Sequence, residues 1–186
     1  MVNLNLYPLN ENVQLPKFGT AMSTCFDLHY CPTYALVDGY NAYNTAFSRQ
    51  VSLDDYDLFI YPGDRILVPT GLVAKIETDI SIENYSDIMR AQTPLKQYSI
   101  RLHPRSGLSL KRGLVLANAE GIVDVDYQQE IFVLITNISK VAQTIKNQER
   151  IAQAEVVANE GVRLRIVKEM PEPYSDRDGG FGSTGV

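Results

Sequence analysis

The chain has 186 residues, a formal net charge of −5 and 45% hydrophobic residues, enough for one domain with its own core and short for two. The acidic balance disfavours wrapping duplex nucleic acid, which calls for a basic face, so no direct nucleic-acid binding is expected. A small anionic substrate stays open, because a few local arginines hold phosphates against an unfavourable net charge.

Met1 to Asn10 carries neither a basic start nor a long apolar stretch, and no run reaches the roughly 18 apolar residues of a membrane span. A cytoplasmic protein is expected, in the host cytoplasm if the source is viral. Cys25 and Cys31 read as free thiols. With His29 they suggest a zinc cluster, but the spacing fits no common zinc pattern.

Period-two alternation then dominates. Leu4 and Leu6, Ile66 and Val68, Leu72 with Ala74 and Ile76, Tyr98 with Ile100 and Leu102, Ala152 with Ala154 and Val156, and Leu164 with Ile166 each mark one face of a short strand. Ile131 to Ile135 is continuously apolar and reads as a fully buried strand. Helix signals are sparse: one or two turns at Ser106–Lys111 after Pro104, and a second short candidate at Ser86–Gln92 before Pro94. The fold class is therefore all-β, a jelly-roll-like barrel over residues 1–170. Tyr30–Asp57 and Thr78–Gln97 break the rhythm and read as long surface insertions. Residues 171–186, rich in glycine, read as a flexible C-terminal arm.

Four segments carry chemistry. Pro104–Leu108 follows a strand and opens a short helix, so Arg105, Ser106 and Gly107 suit an anion; an ordinary strand-to-helix turn reads equally well. Asn118–Tyr127 reads as a β-hairpin with its turn at Gly121, projecting an amide, a carboxylate and an aromatic ring; a plain polar hairpin is the alternative. Arg150–Gln153 is a strand start with polar residues that otherwise simply face water. The glycines of 179–185 offer an anion nest or only a loose terminus, and no Walker A lysine follows them.

In order along the chain, these segments resemble the five motifs of the trimeric dUTPase family. Thr24–Leu28 is similar to the first, with Cys25 where Gly is usual. Pro104–Leu108, Asn118–Tyr127, Arg150–Gln153 and Gly179–Gly185 are similar to the second to fifth, and Pro62–Leu72 resembles the strand between the first two. Gln129 and Gln148 stand where or near where the family has Gly, and Arg177 lies one residue closer to Phe181 than usual.

The resemblance implies hydrolysis of dUTP to dUMP and pyrophosphate, limiting uracil in DNA and supplying dUMP for dTMP synthesis. It implies Asp124 as general base, Tyr127 against the deoxyribose, and Asn118, Gly121 and Ile122 around uracil. Arg105, Ser106, Gly107 and Gln153 would hold phosphates. Arg177, Phe181, Gly182, Ser183 and Thr184 would close over the nucleotide. Asp27 would hold Mg2+ through water, and three chains would share each site in a homotrimer. The two insertions fit a viral or phage member that also meets a protein partner through them. A dCTP deaminase of the same fold would need a catalytic Glu on the strand after the third motif, and Ile131–Ile135 offers none.

Overall fold

The computed structural model describes residues 2–52, 54–77, 96–162 and 164–174. In chain order the strands are β1 (Leu4–Pro8), β2 (Phe26–His29), β3 (Leu36–Tyr40), β4 (Ala46–Gln50), β5 (Leu58–Ile60), β6 (Arg65–Ile76) and β7 (Lys96–Pro104). They continue as β8 (Leu114–Leu116), β9 (Gly121–Asp124), β10 (Glu130–Asn137), β11 (Gln143–Ile145) and β12 (Arg150–Glu160), with one helix, α1 (Ser106–Arg112), between β7 and β8. One sheet runs β4-β3-β6-β10-β8, with β1 also on β6. A second runs β2-β12-β7-β9, and β11 with β5 forms a small third ladder. This is the expected all-β class.

Alternation decides which faces meet. Leu28 on β2, Ile100 and Leu102 on β7, and Ala152 and Ala154 on β12 turn inward, against Ile66 and Val68 of β6 and Val133 and Ile135 of β10. Each large aliphatic side chain buried this way contributes about 1.5–3 kcal/mol relative to exposure. Among buried polar groups, Asn137 shows how the layers are stitched. Its amide donates to the Ile60 and Val141 carbonyls at 2.9 and 2.8 Å, and its oxygen accepts from the Ser139 amide and hydroxyl.

Several expectations are corrected. Residues 30–57 are not a loose insertion. They include the β3–β4 hairpin, and Tyr30, Cys31, Val37, Val51 and Asp57 are buried. Arg49 anchors the hairpin by pairing with buried Asp64 at 2.6 Å and donating to the Phe59 carbonyl at 2.8 Å. β10 is not buried on both faces: Ile131, Val133 and Ile135 point inward while Phe132 and Leu134 are half-covered. No strand forms at Leu164 and Ile166, which are 92% and 102% exposed. Lys96 and Gln97, assigned to the second insertion, already belong to β7. Residues 78–95 of that insertion, with the helix expected at Ser86–Gln92, lie outside the described residues. No helix among the described residues is long and apolar enough to cross a membrane.

Candidate active site

The β2-β12-β7-β9 sheet turns one face away from the core, and alternate residues of each strand share it. Register sets Asp27 opposite Gln153, and Gln153 opposite His103. The Asp27 carboxylate lies between two guanidinium groups. Arg105 Nε is 3.2 Å from Oδ1, and Arg150 Nη1 donates to Oδ2 at 3.1 Å. Arg105 Nη1 also donates to the Arg150 carbonyl at 3.2 Å. Arg150 belongs to this cluster although its motif pointed to Gln153; a charged residue opening the motif was the available signal.

Two positive groups around one carboxylate leave net positive charge for an anion. Burial holds the His29 imidazole, next on this face of β2, below its usual range. The Asp27 charge opposes that shift, while Arg150 and Arg105 reinforce it. Arg105 Nε lies off the hydrogen-bonding line, so buried Oδ1 of Asp27 has no in-line donor among the described residues. An oxygen with free lone pairs fits the water shell of magnesium, which usually keeps several waters and few protein ligands.

Arg105 also begins α1. The helix has no side-chain cap at its start, its last turn carries Lys111 and Arg112, and Gly113 closes it at φ 65°. Its first amides are therefore free to meet an anion beside the Arg105 fork. A side chain added at Gly107 would meet nothing within 4 Å. Folding does not demand glycine there, whereas close approach of a ligand to the backbone does.

The second cluster is built differently from its sequence reading. Asn118 and Gly121 do not form the tip of a hairpin. β8 lies in one sheet and β9 in the other, and the turn at 117–120 carries the chain between them, with Ala119 at φ 61°. Gly121 opens β9, where an added Cβ would lie 3.0 Å from the Leu102 side chain. Its role is close packing, which a sequence does not distinguish from a turn. Asn118, Ile122, Asp124 and Tyr127 are all exposed.

The Tyr127 amide donates to the Asp124 carbonyl at 3.1 Å, and its hydroxyl donates to the Glu130 carbonyl at 2.9 Å. Partial burial of the ring, with the Glu130 charge adding to it, raises the Tyr127 pKa above its ordinary value. Glu130 is a carboxylate on the strand after this segment, one residue before the apolar run. Its Oε1 accepts from Thr33 Oγ1 at 2.8 Å and the Gly71 amide at 2.6 Å, which makes it part of the core.

The two clusters do not meet within one chain. Asp124 pairs with Ser99 on β7, six residues before Arg105. At about 3.3 Å per residue that is about 20 Å. Arg177, Phe181, Gly182, Ser183 and Thr184 lie outside the described residues.

A family model described as dUTPase matches residues 53–185. A deoxyuridine 5'-triphosphate nucleotidohydrolase of Nautilia profundicola is 32% identical over 184 residues, covering 99% of both chains. One from Polynucleobacter asymbioticus is 32% identical over 187 residues, covering 100% of this chain and 99% of its own. Both alignments extend past the start of the family match and so take in Asp27. Among solved structures, a dUTPase mutant of Staphylococcus bacteriophage 80alpha with dUpNHpp has a TM-score of 0.68 at 18% identity, covering 99% of each chain. A mutant dUTPase of phage phi11 of S. aureus, described with a structural Mg(II) ion, has a TM-score of 0.61 at 16% identity, covering 91% of this chain and 99% of its own. Fold, motif order and whole-length similarity agree: the chain belongs to the dUTPase family.

Proposed function

We propose that the protein hydrolyses dUTP to dUMP and pyrophosphate, with water activated by Asp124 attacking the α-phosphorus. The supporting observation is the paired arrangement of an exposed carboxylate beside a braced tyrosine and an arginine fork at an uncapped helix start. Water loses a proton to Asp124 as its oxygen bonds to the α-phosphorus. The bond from that phosphorus to the bridging oxygen breaks, and pyrophosphate leaves with the electron pair. Arg105, Ser106, Gly107 and Gln153 hold the phosphates. Arg150 adds charge to the Arg105 and Asp27 group.

Tyr127 is fixed at its hydroxyl by the Glu130 carbonyl. Its ring therefore presents a set edge to the sugar and leaves no space for a 2′-hydroxyl. Asn118, Gly121 and Ile122 frame the uracil. Arg177, Phe181, Gly182, Ser183 and Thr184 close the site from the arm formed by 171–186, beyond the single β domain of 1–170. Asp27 would hold Mg2+ through water, and the ion when bound would supply charge neutralisation for the triphosphate.

The working unit is a homotrimer. The backbone separation of about 20 Å between Asp124 and Arg105 along one chain supports this, since a second chain can bring the two clusters closer around one substrate. Exposed Val162, Leu164, Ile166 and Val167 support it too, as an apolar stretch that finds cover in an assembly.

The test incubates the protein and an Asp124→Asn variant with Mg2+ and each of dUTP, dCTP, dTTP and UTP, and quantifies pyrophosphate and ammonia. Pyrophosphate from dUTP alone, reduced about 10²–10⁴-fold in the variant, is expected. Ammonia from dCTP, or full activity in the variant, overturns the reading.

A further inference from the structure

Beside the phosphate cluster, on the same face of the same sheet, stand three residues that the reaction does not use. Cys25, Glu155 and His103 each lie two positions along the chain from Asp27, Gln153 and Arg105 respectively, within or just beyond β2, β12 and β7. Antiparallel register brings the three together: the pairings of Ala154 with Phe26 and of Glu155 with Arg101 place Cys25 near Glu155, with His103 diagonal to both. Their ligand atoms, one from each residue, all lie within 4.8 Å of one another. All three side chains are half-buried, enough to be ordered and open enough to admit an ion.

The donor set is specific in chemical type. Magnesium is a hard ion served by oxygen, whereas a thiolate with an imidazole and one carboxylate is a set for zinc-class ions. Zinc binds sulfur, nitrogen and oxygen at about 2.0–2.3 Å, which puts tetrahedral ligands about 3.5 Å apart. His103 Nε2 and Glu155 Oε1 are hydrogen-bonded at 3.0 Å, a contact that an ion between them would replace, and small rotations of half-exposed side chains bring in the sulfur.

The surroundings match those of a metal-bound histidine. His103 Nδ1 faces Glu120 Oε1 at 3.8 Å, and Glu120 is itself held by Arg101 at 2.9 Å. At that distance Glu120 acts on the ring through its charge, and a carboxylate behind the outer ring nitrogen raises ligand basicity. Three protein ligands leave the fourth position of a tetrahedron to water or a passing anion.

We infer that Cys25, His103 and Glu155 form a binding site for a thiophilic divalent ion of the zinc class, separate from the magnesium expected at Asp27. The site exists because a cysteine replaces the glycine usual at the first motif, and it stands two residues, about 7 Å, along the strands from the phosphate cluster.

The test reads metal directly and does not depend on turnover. Full-length protein freed of metal is titrated with Zn2+ against a chromophoric chelator in millimolar Mg2+, beside Cys25→Ser and Glu155→Gln variants. Co2+ is used as a spectroscopic probe. One Zn2+ per chain is expected, with affinity reduced more than about tenfold in either variant and a near-ultraviolet sulfur-to-cobalt charge-transfer band that Cys25→Ser abolishes. Thermal unfolding of each variant confirms that it is folded. Zn2+ bound equally by wild type and both variants, or a Co2+ spectrum without a thiolate band, overturns the assignment.

Discussion

The conformation of Gln148 accounts for one departure from the family pattern. It adopts φ 60°, and its amide donates to the Tyr30 carbonyl at 3.0 Å. That left-handed geometry suits glycine, the residue usual nearby, and costs other residues about 1–2 kcal/mol. Gln148→Gly is expected to raise stability by up to about 1 kcal/mol in chemical denaturation, less than the full strain because glycine is freer when unfolded. Gln129, another departure, has no positive φ and needs no glycine. Tyr30 is wholly buried, and its hydroxyl finds no partner among the described residues. Burial drives its pKa well above the ordinary value of 10.0 and raises that of Cys31 above 9.0. Both groups are neutral in folded and unfolded chains near neutrality. As pH rises the unfolded chain ionises first, so stability is lost from about pH 9 upward. Tyr30→Phe is expected to hold or raise the melting temperature at pH 7 and to lessen the alkaline loss, read by thermal melts between pH 7 and 11.

At the scale of elements, α1 and β6 carry glycines with opposite meanings. Gly107 sits in open space, while a Cβ at Gly71, at φ 70°, would lie 2.5 Å from Val13. Gly107→Ala is expected to leave the melting temperature unchanged or slightly raised and to raise KM for dUTP. Gly71→Ala is expected to cost about 1–3 kcal/mol. Similar contrasts explain what the sequence made legible. Ala152 and Ala154 on β12 were readable because their alternation also pairs with β2 and β7. Leu164 and Ile166 alternate just as well, yet alternation marks a face and not a neighbour, and no strand among the described residues pairs with them. The β3–β4 hairpin was opaque because its hold is the pair of Arg49 with buried Asp64, a contact across the fold with no local pattern. The order of motifs located Asp27, Arg105 and Gln153. The meeting of Cys25 with His103 and Glu155 depends on register across three strands, which composition and spacing do not carry.

For the whole molecule, assembly and catalysis are expected to fail together. Replacing Leu164 and Ile166 with Asp should convert a trimer to monomers in light scattering and abolish dUTP hydrolysis while leaving the far-ultraviolet circular dichroism of the sheet. Mixing offers a sharper test. Asp124→Asn and Arg105→Ala chains should each be nearly inactive alone. Unfolded and refolded together, they should regain about a quarter of wild-type activity, because random assembly gives that share of sites an intact residue of each kind. Recovery absent from an otherwise trimeric mixture would place both residues in one chain's site.

In the proposed trimer, the distance between Asp124 and Arg105 on a single chain would also make the enzyme's output depend on its own abundance. A monomer holding both groups would work in proportion to its concentration, however dilute. Chains that must meet to complete a site fall silent faster than linearly once diluted below their dissociation constant. In a cell, the onset of dUTP removal would then be set by how quickly the chain accumulates, giving a threshold in expression with no separate regulator.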